Sequence, residues 1–188
     1  MIASIRYKYS IESTEGKVMV SELVIKSKKG DKEAFAQLVE MYYDQMFLLS
    51  LSIMKNPYDA YDVCQEGFIK AYRKIWMLRD NDKFKSWLSR IIRNISKDMY
   101  IKKKNDPDFE ETLEIEGFVN EDTAEKMDIY KYLLKLKDEY REVLVLRYFQ
   151  DLQIKEIARL TGTPVNTVKS RLRYALSAMK GLMEGYEN

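Results

Sequence analysis

The sequence predicts an all-α protein, built as two small helical domains joined by an acidic, flexible linker. Three observations lead there. Apolar residues recur at spacings of three and four through most of the chain, and no stretch alternates long enough to make a convincing strand. Only three prolines and seven glycines interrupt 188 residues, so long helices are expected. Charge is segregated along the chain. Residues 1–104 carry 20 Lys/Arg against 13 Asp/Glu, residues 105–127 one Lys against 9 acids, and residues 128–188 11 basic against 8 acidic residues. A formal net charge of +2 therefore hides two basic blocks around an acidic connector, a pattern that points to nucleic acid.

Composition narrows the chemistry. The chain has no histidine, which removes the commonest general base and a frequent metal ligand. Cys64 is the only cysteine, so neither an internal disulfide nor a zinc cluster can form, in keeping with a reducing cytoplasm. The longest apolar-rich run, Met46 to Met54, is broken by serines and falls far short of the roughly 20 residues of a spanning helix. No secretory leader is evident. No catalytic residue, metal, cofactor or small-molecule substrate is expected.

Residues 1–18 show no helical period, and residues 1–20 are expected as a mobile arm, with Met19 as an alternative start. The helical pattern begins at Ser21. Gly30-Asp31 separates a first helix from a second, Asp31 being a suitable N-cap, and the second runs through Leu38, Tyr42, Leu48 and Leu51 to Met54. Pro57 suits the first turn of a third helix, expected to about Trp76. The loop Arg79-Asp80-Asn81-Asp82 precedes a fourth, from Phe84 to about Lys102. Residues 105–126 lack an apolar period and are expected as the linker, a short exposed acidic helix being the alternative. Two further helices are expected, Met127–Leu136 and Tyr140–Phe149.

The sharpest local pattern is Ile154 to Val168. Ala158 is small enough for a steep helix crossing, Gly162 tolerates the positive φ of a tight turn, and Val168 returns a branched side chain to the joint core. Thr163 is expected to cap the next helix and Pro164 to open it. That helix carries a core stripe of Val165, Val168, Leu172, Leu176 and Met179. Asn166, Lys169, Ser170 and Arg173 lie opposite, where a helix-turn-helix presents groups to base edges in the major groove, while Arg171 suits a phosphate.

Two other segments carry chemistry. Residues 83–104 hold eight Lys/Arg against one acid, with Phe84, Trp87 and Tyr100 interleaved. Basic groups neutralise phosphates and aromatic faces stack unpaired bases, although Trp87 also fits a core stripe with Leu88, Ile91, Ile92 and Ile95. Asp59, Asp62 and Glu66 share one face of the third helix with Gln65 beside them, while Ala60, Cys64, Gly67 and Ala71 share another. The acidic face suits a protein partner. A solvated face or a magnesium site are the alternatives, the last needing carboxylates from another element.

The segments Gly30–Phe35, Asp59–Lys74 and Phe84–Asn94 together resemble conserved region 2 of sigma-70 family factors, and Thr163–Leu172 resembles their region 4. The resemblance covers about residues 20–185. The lack of extra domains is similar to the extracytoplasmic function (ECF) group. It implies region 2 over residues 21–104, the linker over 105–126 and region 4 over 127–185. In that family the Asp-Ala-x-Asp-x-x-Gln-Glu-x-Phe helix docks on the β′ clamp helices of core RNA polymerase, which carries over to Asp59, Asp62, Gln65, Glu66, Phe68 and Arg73. Region 2 captures a flipped base of the −10 element. Asn94 holds the matching position, with Asp82, Lys83, Arg90, Arg93 and Lys97 along the path of that strand. The region 4 helix reads the −35 element, which carries over to Thr163, Pro164, Asn166, Thr167, Lys169, Ser170, Arg171 and Arg173; Asn166 stands where relatives often carry a small residue.

The implied partners are core RNA polymerase (β′ clamp helices and β flap), promoter DNA and an anti-sigma factor, membrane-bound or not. The linker is implied to thread the RNA channel, with Glu110, Glu111, Glu114 and Glu116 facing its basic wall. Melting then needs no catalytic residue, because captured unstacked bases bind only open DNA. The rival readings are a stand-alone helix-turn-helix regulator and a magnesium-dependent nucleic-acid enzyme using Asp59, Asp62 and Glu66.

Overall fold

The computed structural model describes residues 14–107 and 124–184, and among these every regular element is a helix, as the periodicity predicts. Most of the expected linker, with Glu110, Glu111, Glu114 and Glu116, lies outside the described residues.

Helix α1 spans Thr14–Lys28 and so begins about two turns before the expected start at Ser21. Residues 14–20, expected within the mobile arm, are helical. The physical reason is Val20, which extends the stripe of Leu23 and Val24 by one turn and is buried with them. Helix α2, Lys32–Met54, starts where the Asp31 side chain accepts a hydrogen bond from the Ala34 N–H at 3.0 Å. It stops at Lys55, whose φ of 61° is left-handed. Helix α3, Pro57–Lys74, is capped by Asn56 Oδ1, which accepts from Tyr58 N and Asp59 N, and Pro57 occupies its first turn as expected. The chain then tightens into two 3-10 turns, Ile75–Met77 and Asn81–Lys83, before α4, Phe84–Lys104.

α2 is the central rod of this bundle, with α1, α3 and α4 packed around it. Phe35, Leu38, Met46, Leu49, Val63, Leu88 and Ile92 form the shared core. Gly67 lets α3 and α4 approach closely: a Cβ placed there would lie 2.2 Å from Ile92 Cδ1.

After the second described segment begins, α5 runs Ala124–Lys135, α6 Asp138–Tyr148, α7 Ile154–Thr161 and α8 Val165–Glu184. Gly162 is left-handed as predicted, with φ 66°, and its N–H closes α7 on Ala158 O. The start of α8 differs from expectation by one residue. Thr163 N also bonds Ala158 O, so Thr163 completes the cap of α7, and its hydroxyl donates to Thr161 O at 3.4 Å rather than capping α8. Pro164 consequently precedes the helix, and its carbonyl accepts from Val168 N. Val168, Leu172, Ala175 and Met179 bury the inner face of α8 against Leu133, Val143, Leu144 and Ile157, while Val165 and Leu176 are half-buried. α6 also packs along α2. No helix among the described residues is long and apolar enough to cross a membrane.

Candidate nucleic-acid and partner surfaces

Three surfaces hold the residues that the sequence singles out. The first is the outer face of α8. Its N-terminal turns carry Asn166, Lys169, Ser170 and Arg173 exposed, with Thr167 half-buried and Pro164 exposed just before it. Ser170 Oγ donates back to Asn166 O at 3.0 Å. Arg171 leans away from this face, bonding Glu139 at 2.6 Å and Thr163 Oγ1 at 3.5 Å. The face is convex and basic at the end of a helix whose partner, α7, crosses it at the Gly162 turn, which is the geometry that admits a helix to a major groove.

The second surface lies on α4 and the turns before it. Asn94 and Arg90 are exposed one helical turn apart. Asp82 and Lys83 are exposed in the preceding 3-10 turn, whose N-cap Asp80 accepts from Asp82 N. Trp87 is half-buried, its ring 6.0 Å from Phe84, so it serves the core while one side faces a groove lined by Arg79, Lys83 and Arg90. The sequence gives no sign of the residue that braces this loop. Lys28, at the end of α1, donates to Leu78 O at 2.6 Å and to Asn81 Oδ1. Arg93 departs from expectation. It is 8% exposed, and its Nε donates to Glu142 of α6 at 2.6 Å, with Lys97 Nζ on the same carboxylate at 3.3 Å.

The third surface is the outer side of α3. Asp62, Gln65, Glu66 and Arg73 are exposed, and Asp59 is half-buried in an ion pair with Lys103 of α4. Phe68 is not part of this face. It falls on the inner stripe with Cys64 and Ala71, is 7% exposed and stacks on Tyr43 at 6.2 Å, so it helps hold α3 on the bundle. Tyr58, Tyr61 and Ile69 are exposed on the outer side instead. Carboxylates flanked by exposed apolar side chains suit a protein partner more than a solvated face does. Their spacing of three and eight residues, one helical face, is the signal by which the sequence could have revealed them.

These surfaces sit within two matches to known families. A family model described as Sigma-70 region 2 matches residues 38–105, and one described as Sigma-70, region 4 matches residues 126–179. The chain is 34% identical over 181 residues to the ECF RNA polymerase sigma factor SigW of Bacillus subtilis (strain 168), covering 87% of this chain and 96% of that protein. Among solved structures it is similar to CnrH in complex with the cytosolic domain of CnrY, with TM-score 0.63, 25% identity and coverage of 89% of this chain and 98% of that one. Its fold is also similar to that of the sigma factor RpoE in complex with the anti-sigma factor NepR from Bartonella quintana, with TM-score 0.65, 23% identity and coverage of 80% and 96%. With both conserved regions matched in order and a relative aligned over nearly its whole length, the chain belongs to the sigma-70 family, in its extracytoplasmic function group.

Proposed function

We propose that this chain binds core RNA polymerase, directs it to −35 and −10 promoter elements and stabilises the melted −10 strand. The observation that carries this is the pairing, in one chain, of an exposed Asn94 on the basic helix of the region 2 match with an exposed Asn166–Arg173 face on the recognition helix of the region 4 match. The division of labour assigns residues 21–104 to polymerase and −10 binding, 105–126 to a linker and 127–185 to −35 binding.

On α3, Asp62, Gln65, Glu66 and Arg73 dock on the polymerase, with Tyr61 and Ile69 supplying apolar contact. Asn94, Arg90, Asp82 and Lys83 meet the −10 strand, and Arg93 and Lys97 supply phosphate contacts once released from Glu142. On α8, Lys169, Ser170, Arg173 and Asn166 read base edges, while Arg171 and Thr167, with Thr163 and Pro164 just before the helix, flank the backbone. Opening of DNA follows from differential binding: contacts made only to unstacked bases shift the duplex toward the open form, and no catalytic group or cofactor is required. The protein acts in the cytoplasm, where its polymerase is. An anti-sigma protein is the natural regulator; CnrH and RpoE, whose folds this chain shares, were solved in complex with the cytosolic domain of CnrY and with the anti-sigma factor NepR.

The test is transcription in vitro with purified core polymerase on fragments of the source genome. Initiation at discrete new start sites, lost with Asn94→Ala or Asp62→Lys, is expected. Absence of both core binding and initiation would sink the reading.

A further inference from the structure

Trp76 is 70% exposed, the most open of the large apolar side chains among the described residues. It stands in the first 3-10 turn after α3, and Met77 beside it is 53% exposed. The core does not use either: Ile75 and Leu78, on each side of the pair, are buried instead. The ring is nevertheless held, because its Nε1 donates to Arg73 O at 3.2 Å and so ties the indole to the end of α3. A large aromatic face kept open to solvent in a fixed place is a mark of a binding surface.

Cations gather at this corner. Arg73 and Lys74 close the last turn of α3, and Arg79 follows Trp76 by three residues. α1 adds two more. Lys28 fastens the end of that helix to Leu78 O and Asn81, which brings Lys26 and, just past the helix, Lys29 to the same corner. All five are exposed, and none makes an ion pair among the described residues. The acids nearby are engaged as caps, Asp31 on α2 and Asp80 on the second 3-10 turn. α1 precedes the region 2 match, which begins at residue 38.

We propose that Trp76 is a stacking platform for an unpaired base of the melted strand, lying past the −10 contacts on the start-site side, with Lys26, Lys29 and Arg79 on the flanking phosphates. This rests on the assignment of Asp82, Lys83 and α4 to the −10 strand. Continuity supports it: residues 79–83 join the Trp76 turn directly to the exposed Asp82, Lys83 and Arg90 of that surface. Toward the −35 element the DNA stays duplex, so an unpaired base past the −10 contacts lies toward the start site. Single-strand sites combine aromatic faces with a cationic track. The centre of a protein interface is depleted in charge, whereas here five cations surround two apolar side chains. A base stacked on Trp76 is bound only in open DNA, so the contact adds to melting.

The experiment uses the full chain. It has two tryptophans, so Trp87→Phe leaves Trp76 as the only indole reporter. Three probes of equal length, about 12 nucleotides, are titrated: a mixed-sequence single strand, its duplex, and a sugar–phosphate strand without bases. Stacking quenches indole fluorescence, so the mixed single strand should quench Trp76 and the other two should leave it nearly unchanged. Affinities are read by anisotropy of the fluorescein-labelled probes. Trp76→Ala should bind the mixed strand about tenfold more weakly, the usual effect of losing one stacked base, and the baseless strand equally well. Trp76→Phe, which keeps an aromatic face, should retain most of the affinity. Lys26→Gln combined with Lys29→Gln should weaken both strands together and flatten the salt dependence, as lost phosphate contacts do.

Equal quenching by all three probes, or equal losses for Trp76→Ala on the two single strands, would overturn the stacking. No quenching, with affinity untouched by Trp76→Ala, would overturn the DNA assignment and leave this corner to a protein partner. Transcription with core polymerase separates the inference from the sigma reading. Trp76→Ala should keep the start sites of the wild type while permanganate reactivity of unpaired thymines just past the −10 element falls. Unchanged reactivity would overturn the placement of Trp76 on the promoter although the wild-type chain still initiates. A wild-type chain that directs no initiation would instead overturn the sigma reading, and that placement with it.

Discussion

Ile92 Cδ1 occupies the space that a side chain at position 67 would need, 2.2 Å from where a Gly67 Cβ would lie. The glycine costs about 1 kcal/mol of helix propensity relative to alanine, and the close approach of α3 and α4 offsets it. Gly67→Ala should therefore destabilise by about 1–2 kcal/mol despite its better propensity, as overpacked cores do. Ile92→Val removes the clashing atom. Alone it should cost about 0.5–1.5 kcal/mol, but combined with Gly67→Ala it should recover much of the loss. Urea denaturation of the four proteins of this cycle checks it, and additive costs would show that the contact relaxes elsewhere.

Lys28 ties the end of α1 to the turn that precedes α4 through Leu78 O and Asn81. Lys28→Met keeps the aliphatic stem and removes both bonds. Hydrogen bonds from charged groups contribute about 1.5–3 kcal/mol when buried and less when, as here, half-exposed, so a loss of about 1 kcal/mol is expected. The sharper readout is local: amide exchange at residues 78–83 should accelerate while that of α2 is unchanged. Uniform acceleration would mean that Lys28 supports the bundle generally rather than the turn.

Burial pushes the Cys64 thiol up to about 12. The thiolate is the reactive species, so the native protein should be inert to a disulfide reagent at pH 8 and should react fully once unfolded. Rapid stoichiometric reaction of the folded chain would contradict the packing of α3.

Asp138 lies where the two helical units meet, 3.1 Å from Lys55 and 2.6 Å from Arg141. Burial pushes its carboxyl up, but hydrogen bonds and charge from Lys55 and Arg141 outweigh that, and the net shift is below 3.8. A lowered folded value means that the ionised form favours the native state. The contribution is therefore complete above the unfolded value and is lost as pH falls through the folded one. Asp138→Asn should cost no more than about 1 kcal/mol at pH 7, since the group is largely exposed. The difference from wild type should vanish on acidification below the ordinary aspartate range. A gap that persists in acid would assign the effect to packing.

Local rules made much of the fold legible. Asp31 as a cap, Pro57 in a first turn and Gly162 at a left-handed position each follow from the physical demands of one residue, and the structure places all three as expected. Thr163 escaped because its N–H was already committed to α7, a choice between two helix ends that spacing does not rank. The burial of Phe68 was not legible because a motif lists residues in order without saying which face each occupies. The pairing of Arg93 with Glu142 has no local signal at all. Periodicity marks the apolar side of a helix, but not which charge on a helix 49 residues away will meet a polar one. Arg141 and Gln150 are hidden for the same reason: residue types that usually face water are buried here because distant carbonyls of α2 receive them.

From Gln45 to Met54, α2 has no exposed residue on any side. Part of that cover comes from α6. Separation of the units would therefore wet a helix whose sequence there is mostly leucine, methionine, phenylalanine and serine, and would leave the carbonyls of Gln45 and Ser52 without their side-chain donors. A chain whose C-terminal helices left α2 would be sticky, open to self-association and proteolysis until something else covered that rod. The same rod that organises the bundle thus ties the solubility of the N-terminal helices to the C-terminal ones.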